Sequence, residues 1–212
     1  MMPPVPPRVY LITDPSAGAG LLDRAAAALR GLPPGTVAVQ LRARGAGGGA
    51  LLAEARALRA VVAAAGQRLV VNDRIDVAVC AGADGVHLPS AGVPPAGARR
   101  LLGPGALVGV SCHSVADVRR AREGGASFAT FGPVFDTPSK RAYGAPVGVA
   151  LLGEASAVGL PLLALGGVDE RNAHEVVAAG AWGVAAIRAW LDAPDPGAAV
   201  RRLLDAVEKG RR

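Results

Sequence analysis

Short apolar runs, separated by longer segments of helical periodicity, dominate the pattern of hydrophobic and polar positions along this chain. Eight of these runs hold four or five residues each and are rich in valine, leucine, isoleucine, alanine or phenylalanine, which is typical of buried β-strands. The predicted strands are Val9–Thr13, Val37–Leu41, Leu69–Asn72, Gly85–Leu88, Leu107–Ser111, Phe128–Phe131, Leu162–Leu165 and Gly183–Ile187.

The segments between the predicted strands are mostly rich in alanine, leucine and arginine, and several end at a glycine that would stop a helix. Ser114 and Asp169 stand where the first turn of a helix needs a side-chain oxygen as its N-cap. The predicted helices are Leu21–Arg30, Ala50–Ala65, Ile75–Ala81, Pro95–Leu102, Val115–Glu123, Val149–Val158, Glu170–Ala179 and Pro196–Glu208.

Strands that alternate with helices in this way form βαβ units, and eight such units in a chain of 212 residues favour a closed barrel over an open sheet. The sequence therefore predicts an α/β protein with a single domain, a (β/α)8 TIM barrel over residues 8–212. The proline-rich residues 1–7 are expected to form a disordered lead-in.

A barrel of this type carries its active site at the end where the C-termini of the strands converge. Polar residues follow nearly every predicted strand at this end, whereas a purely structural barrel would distribute them over both ends. This convergence predicts a functional site there. The strand ends carry Thr13-Asp14, Gln40, Arg42, Arg44, Asn72-Asp73, His87, Ser111, His113, Gly132-Pro133, Gly166-Gly167 and Arg188.

Composition narrows the class of ligand. A formal net charge of +6 and a pI of about 10.3 suit an anionic partner. Aromatic residues make up only 3% of the chain, which leaves few platforms on which nucleic-acid bases could stack. We therefore expect a phosphorylated small molecule as the ligand and no nucleic acid.

Cysteine usage and the absence of apolar spans bear on location. Cys80 and Cys112 have no metal-binding spacing and no second pair, which is typical of a reduced cytoplasmic protein. No signal-peptide pattern opens the chain, and no apolar run reaches the roughly 18 residues of a membrane span. A cytoplasmic protein without membrane contacts is expected, and a homo-oligomer is compatible with the sequence.

Gly166 and Gly167 are the first candidates for binding phosphate. They place two backbone amides at a predicted strand-to-helix turn, where an anion can approach the main chain closely. A tight β/α connection is the structural alternative for these glycines. Arg188 ends the next predicted strand and adds a cation beside them, which favours the phosphate interpretation.

A second group of polar residues follows the second and third predicted strands. Gln40, Arg42 and Arg44 alternate with apolar residues and so share one side, where arginines suit a phosphate or diphosphate. A solvated strand exit is the alternative. Asn72 and Asp73 end the third strand, and the carboxylate of Asp73 suits either Mg²⁺ or the N-cap of the following helix.

The long connection within Ser127–Gly148 is a candidate lid. About fifteen residues separate its strand from the next helical segment, and such long loops in compact domains are more often functional than incidental. Thr137, Ser139 and Lys140 offer hydroxyl and ammonium donors that suit phosphate oxygens. A solvated surface loop is the alternative.

His87 and His113 are candidates for proton transfer, because both are predicted at strand ends that face the site. A structural, hydrogen-bonded histidine is the alternative for each. No Ser/His/Asp set, CxxC pair or HExxH motif is present, so neither acyl transfer nor a zinc site is supported.

From Tyr10 to about Trp190 the chain resembles the thiamine phosphate synthase/TenI family of (β/α)8 barrels. The resemblance is carried by YLITD, VQLRARG, VVNDRIDVAVCAGADGVHL, VGVSCHS, FGPVFDTPSK, ALGGVD and GAWGVAAI, in this order. It implies a thiazole phosphate as substrate. One activity of the family joins it to a pyrimidine diphosphate with release of diphosphate, and the other, of the TenI type, tautomerises a carboxylated thiazole phosphate.

The resemblance also implies roles for individual residues. In the synthase pattern, diphosphate and Mg²⁺ are held by positions that match Gln40, Arg42, Asn72, Asp73, Ser111, Thr137, Ser139 and Lys140. The chain departs from that pattern at Gly92, where a second carboxylate would complete the Mg²⁺ site. Arg44 and the LPS sequence after the fourth strand resemble the TenI branch.

The TenI branch has a requirement of its own, since Pro133 occupies the position of its proposed acid–base histidine. A tautomerase would need His113 or His87 in its place. A TenI-type thiazole tautomerase is the main expectation, a thiamine phosphate synthase that uses Mg²⁺ is the alternative, and a non-catalytic binder of thiazole or thiamine phosphates is the third.

Overall fold

The computed structural model describes residues 4–43, 45–137 and 145–212. Eight parallel strands form a closed barrel in chain order, and the first strand pairs with both the second and the eighth. The expected single-domain TIM barrel is confirmed. The strands are β1 (Val9–Ile12), β2 (Val37–Leu41), β3 (Arg68–Asn72), β4 (Gly85–Leu88), β5 (Leu107–Cys112), β6 (Phe128–Phe131), β7 (Leu162–Ala164) and β8 (Gly183–Ala186).

The helices surround this barrel, and each predicted helix is present within a few residues of its expected bounds. Two further elements were not predicted, a 3-10 helix over Pro15–Gly20 and the short helix α8. The α-helices are α1 (Leu21–Leu29), α2 (Gly48–Ala64), α3 (Ile75–Ala81), α4 (Pro95–Leu102), α5 (Val115–Glu123), α6 (Gly148–Ser156), α7 (Ala173–Ala178), α8 (Arg188–Leu191) and α9 (Pro196–Gly210).

One of the two predicted N-caps is confirmed and the other is wrong. Ser114 caps α5, because its hydroxyl accepts from the amide of Asp117 (3.1 Å) while the Asp117 carboxylate accepts from the amide of Ser114 (2.9 Å). Asp169 does not cap α7, which begins three residues later than predicted, after Asn172. The carboxylate of Asp169 is instead paired with the guanidinium of Arg171.

The strand residues divide into two apolar layers. Alternate residues point outward and pack beneath the helices in one large core, while the others fill the barrel interior with a smaller cluster. The interior cluster comprises Tyr10, Ile12, Ala38, Val70, Leu107, Phe128, Leu163 and Ala185. The interior is therefore a packed core, and ligands are confined to the end of the barrel.

The N-terminal end of the barrel is closed by Trp182 and the residues that precede β1. The indole N–H of Trp182 donates to the carbonyl of Pro6 (3.1 Å), and the guanidinium of Arg8 lies 3.6 Å from the centre of the indole ring. Pro6 and Pro7 are buried, although residues 4–7 have no regular secondary structure. Within this part of the expected disordered lead-in, Pro6 and Pro7 are therefore packed, whereas Val5 is exposed.

Two observations bear on the expectations for cysteines and membranes. Cys80 is exposed and Cys112 is buried, and both are free thiols. Among the described residues, no helix combines the length and the apolar character that crossing a bilayer would require.

The close approach of β4 and β5 depends on Gly85. A Cβ at this position would lie 2.0 Å from the carbonyl oxygen of Leu107. We expect Gly85→Ala to lower the free energy of unfolding by about 1–3 kcal/mol or more, because the overlap involves backbone that cannot yield cheaply. Urea unfolding measures this loss.

Gly49→Ala is the matched control. A Cβ at Gly49 in α2 would meet no atom within 4 Å, so this substitution should be neutral or stabilise by up to about 1 kcal/mol. Equal unfolding free energies for the two variants would show that the strand contact does not constrain the fold.

Candidate active site

Charged side chains from three loops meet at the mouth, the end of the barrel where the eight strands terminate. The amide of Arg42, directly after β2, donates to the hydroxyl of Thr13 (2.9 Å). The carboxylate of Asp14 lies 3.8 Å from the guanidinium of Arg42 and 3.9 Å from that of Arg188. Asp14 therefore holds two partly exposed arginines on either side of the end of β1.

Arg188 does not extend β8, as its place in the sequence had suggested. The strand ends at Ala186, and Arg188 is the first residue of α8, where it also pairs with Asp192 (3.4 Å). Its guanidinium still reaches the mouth, because α8 begins directly at the end of the strand. The predicted role as a cation near the site is compatible with this placement.

Gly166 and Gly167 form the turn after β7 with φ values of 97° and 67°. A Cβ at Gly166 would lie 2.5 Å from Pro133, and one at Gly167 would lie 2.7 Å from the Cβ of Phe135. Both positions therefore require glycine. Neither amide has a protein acceptor among the described residues, which leaves two N–H groups at the mouth for an anion.

The carboxylate of Asp73 is exposed at the end of β3. Asp73 has a φ of 62°, a conformation that is uncommon for residues other than glycine and that is often found at functional sites. Its amide donates to the carbonyl of His87 (2.8 Å), which ties the turn to β4. The alternative role as N-cap is wrong, because Arg74 occupies the N-cap position of α3 and no side chain caps the helix.

Asp73 and the neighbouring Asn72 provide the kind of oxygen ligands that Mg²⁺ takes. Within the described ranges, no group of three or more histidine, cysteine, aspartate or glutamate side chains is arranged to hold a metal ion. Mg²⁺ often uses only one or two carboxylates together with substrate phosphates and water, so this set fits a cation that arrives with a diphosphate.

His113 is exposed just beyond β5, and its Nδ1 lies 2.6 Å from the carbonyl oxygen of Gly132. This contact orients the ring across the end of β6. Thr137 is half-buried on the connection that follows β6. The predicted site residues Arg44, Ser139 and Lys140 lie outside the described residues, and the lid prediction falls largely on the same segment, 138–144.

Gln40 and His87 lie deeper than the sequence had suggested. Each has only 2% of its surface exposed, because both point into the barrel below the mouth. The Nε2 of His87 lies 3.1 Å from the hydroxyl of Ser111 and 3.3 Å from that of Thr130, while its Nδ1 lies 3.4 Å from the hydroxyl of Tyr10. Only Ser111 connects this group to the mouth.

Burial lowers the pKa of His87 to about 3. The imidazole is therefore neutral at physiological pH and too weak a base for proton transfer to a substrate. The predicted role of His87 as a proton shuttle disagrees with this environment, in which the ring is enclosed by Tyr10, Phe128 and Thr130.

Tyr10 was not identified as a functional candidate from the sequence. It lies in the middle of β1, fully buried, and accepts a hydrogen bond from the side-chain amide of Gln40 (3.1 Å). A tyrosine inside an otherwise apolar strand is a usable signal, because a buried phenol needs a hydrogen-bond partner. That partner then has to be another polar residue in the barrel interior.

Comparison with known proteins identifies the family. The family model described as thiamine monophosphate synthase matches residues 9–190. The chain belongs to this family. A member from Geobacter sulfurreducens is 48% identical over 199 residues, which cover 92% of each chain. The thiamine-phosphate synthase of Roseiflexus castenholzii is 45% identical over 200 residues, covering 93% of this chain and 86% of that protein.

A solved structure extends the same relationship. The thiamine phosphate pyrophosphorylase from Pyrococcus furiosus superposes with a TM-score of 0.83 at 29% identity, over 96% of each chain. The match of the thiamine monophosphate synthase family model spans all eight strands described above. The family resemblance inferred from the sequence motifs is confirmed.

The buried His87 makes stability depend on pH. The pKa of the ring is about 3 in the folded protein and 6.5 as the ordinary value, so below pH 6.5 the unfolded chain takes up a proton that the native state refuses. The contribution of His87 to the free energy of unfolding is fully present above pH 6.5 and falls as the pH is lowered. Between pH 7 and pH 5 we expect a loss of about 2 kcal/mol from this residue.

Urea unfolding of the wild type and of His87→Gln at both pH values isolates this effect. The variant should lose about 2 kcal/mol less than the wild type over the same interval, because glutamine does not titrate. The same loss in both proteins would show that the ring is protonated in the native state.

Proposed function

We propose that this protein is a thiamine-phosphate synthase, which joins a pyrimidine diphosphate to a thiazole phosphate and releases diphosphate. The observation that carries the proposal is that two groups of candidate phosphate ligands stand at one mouth. Arg42 follows β2 and Asp73, a candidate ligand of Mg²⁺, follows β3, whereas the amides of Gly166 and Gly167, which have no acceptor among the described residues, follow β7. Two phosphorylated substrates need two such groups, but a tautomerase needs one.

The relatives support the same proposal. A protein that is 45% identical over 93% of the chain is named thiamine-phosphate synthase, and so is a protein from Methanoculleus marisnigri that is 43% identical over 94% of the chain. The main expectation from the sequence, a TenI-type tautomerase, is therefore set aside in favour of its alternative.

The chemistry of the mouth also favours the synthase. The bond between the pyrimidine methylene carbon and the diphosphate oxygen breaks with its electron pair on diphosphate, and the thiazole nitrogen supplies the pair for the new carbon–nitrogen bond. This substitution needs stabilisation of the departing anion more than a proton shuttle. Arg42 and the hydroxyl of Ser111 are donors suited to the diphosphate, and the glycine amides are suited to the thiazole phosphate.

A tautomerase would need an acid–base group, and two of the three positions that could supply one do not. Pro133 has no titratable side chain, and burial leaves His87 as a very weak base. His113 is exposed, and the contact of its Nδ1 with the carbonyl of Gly132 leaves its Nε2 as the one candidate base among these positions. According to the family resemblance, the acid–base residue of a tautomerase would be found at position 133, 87 or 113.

Asp73 and Asn72 are the residues that would hold Mg²⁺. When bound, the ion would neutralise part of the negative charge that develops on the departing diphosphate. Gly92, where the synthase pattern has a second carboxylate, does not readily accept one, because a Cβ there would lie 2.7 Å from the side chain of Pro89. A single carboxylate with substrate oxygens is an ordinary Mg²⁺ set, so this departure does not argue against the synthase.

Incubation of the purified protein with both substrates and Mg²⁺ tests the proposal. We expect thiamine phosphate and diphosphate to appear in equal amounts, as followed by chromatography and by a coupled assay for diphosphate. The proposal would be refuted if the protein released no diphosphate from the two synthase substrates but converted the carboxylated thiazole phosphate to its aromatic tautomer. That result would identify a tautomerase.

The role of Asp73 gives a sharper test. Asp73→Asn should lower kcat/KM for synthesis at least about tenfold and raise the Mg²⁺ concentration needed for half-maximal rate, because the hard anionic ligand is lost. Asparagine tolerates the positive φ as well as aspartate does, so the fold should be preserved.

Asp76→Asn is the control for the loss of one negative charge near the mouth. Asp76 lies in the first turn of α3, and its carboxylate is paired with the guanidinium of Arg74 (2.5 Å). Removing the charge of Asp76 should change kcat/KM less than twofold, because substitutions at the surface usually have small effects. Equal effects of the two substitutions would mean that Asp73 acts only through the overall field of the protein.

A further inference from the structure

A line of hydrogen bonds crosses the barrel interior and ends at the mouth. The side-chain amide of Gln40 on β2 donates to the hydroxyl oxygen of Tyr10 on β1 (3.1 Å), which lies 3.4 Å from the Nδ1 of His87 on β4. The Nε2 of His87 lies 3.1 Å from the hydroxyl of Ser111 on β5. Gln40, Tyr10 and His87 are buried, and only Ser111 is partly exposed.

The available donors and acceptors determine which group donates in each of these hydrogen bonds. Burial raises the pKa of Tyr10, so its phenol keeps its proton. The phenol oxygen already accepts from Gln40, and the only acceptor within reach of its O–H among the described residues is the Nδ1 of His87. The single proton of the neutral imidazole must then be on Nε2, which lies 3.1 Å from the hydroxyl oxygen of Ser111 and 3.3 Å from that of Thr130, so it is donated to the nearer Ser111.

The consequence concerns the proton of Ser111. Because its oxygen accepts from the imidazole below, its own O–H is directed away from His87 and toward the mouth. With the opposite tautomer, Nε2 would be an acceptor, and the hydroxyl of Ser111 would donate down into the barrel. The state of a buried ring thus decides whether the site above has a donor or an acceptor at this position.

We infer that Tyr10 and His87 are positioning residues, which hold the hydroxyl of Ser111 as a hydrogen-bond donor to an anionic oxygen of the ligand. The inference rests on the proposed function in naming the diphosphate as that ligand. A preorganised donor stabilises the charge that develops as the diphosphate departs, because it does not have to reorient during the reaction. Its effect should therefore be on kcat more than on KM.

Packing holds the ring in a single place. The ring of Phe128 lies 5.3 Å from that of Tyr10 and 5.9 Å from that of His87 between centres. On the neighbouring strand β5, where Gly109 is the register partner of His87, a Cβ at Gly109 would lie 2.5 Å from the Nδ1 of His87, so this glycine provides the space that the imidazole occupies. Because packing fixes the position of the ring, the hydrogen bonds select its tautomer.

The tautomer can be read without any substrate. In ¹⁵N-labelled protein, the two ring nitrogens of His87 have distinct chemical shifts, and loss of the signals in His87→Gln assigns them. We expect Nε2–H in the wild type and a gain of the Nδ1–H form in Tyr10→Phe. Nε2–H should be retained in Thr130→Val, which removes the more distant hydroxyl near Nε2 but keeps both the phenol and Ser111. Nδ1–H in the wild type would overturn the inference, whether or not the protein is a synthase.

A double-mutant cycle separates positioning from mere packing. Tyr10→Phe should lower kcat by about 3- to 10-fold, with a smaller change in KM, since the hydrogen bonds of the phenol to His87 and Gln40 are lost while the ring is kept. In the Ser111→Ala background the same substitution should lower kcat less than twofold, because the group through which it acts is gone. Equal losses in the two backgrounds would show a structural role only.

Two replacements of His87 provide a conservative rescue. The amide of glutamine can place an N–H near the position of Nε2, whereas that of asparagine reaches only the position of Nδ1. His87→Gln should retain several-fold more kcat than His87→Asn, and thermal melting shows whether each variant is folded. If both fail to fold, the isosteric Tyr10→Phe cycle still decides, and a higher kcat for folded His87→Asn would contradict the inference.

Discussion

Closure of the barrel is the constraint on which the rest of this structure depends. Because β1 pairs in parallel with both β2 and β8, all eight strands end at the same face, and loops distant in sequence are brought together there. Asp14, Arg42 and Arg188 meet only for this reason. The opposite face is closed by Trp182, Arg8 and Pro6, whose contacts support the fold.

The same closure creates an interior that must be filled without leaving polar atoms unpaired. Most inward positions are apolar, but Gln40, Tyr10 and His87 place three polar side chains in the core, and each finds its partner on a different strand. Such a network is costly unless every member is satisfied. The network contacts Ser111 and so couples the packing of the barrel to the chemistry of the mouth. These buried residues therefore have a proposed role beyond stability.

The fold could be predicted from the sequence because its signals are local. Eight apolar runs bounded by glycine, proline or polar residues gave the strands, and capping at Ser114 gave one helix start. Helix α8 was missed because the sequence passes from β8 into Arg188 without a turn residue. The start of α7 was placed too early because Asp169 looks like an N-cap until its pairing with Arg171 is known.

The site was predicted less completely, because depth and direction depend on the register of neighbouring strands. The mouth contains Arg42, Asp73, Gly166 and Gly167, as expected. Gln40 and His87 point into the barrel instead, one layer of side chains below the mouth. No local pattern shows that the environment of His87 removes it from proton transfer. The motifs alone also supported two reactions, and the proposal of a synthase draws on the placement of Arg42, Asp73 and the glycine turn on the barrel.

The most direct test of this account is a crystal structure of the protein with thiamine phosphate, diphosphate and Mg²⁺. We expect the phosphate of thiamine phosphate at the amides of Gly166 and Gly167 near Arg188, and diphosphate beside Arg42 and Asp73 with one oxygen accepting from the hydroxyl of Ser111. Binding of both anions at the glycine turn, or of diphosphate away from Asp73 and Ser111, would contradict the division of the mouth into two regions on which the proposed reaction depends.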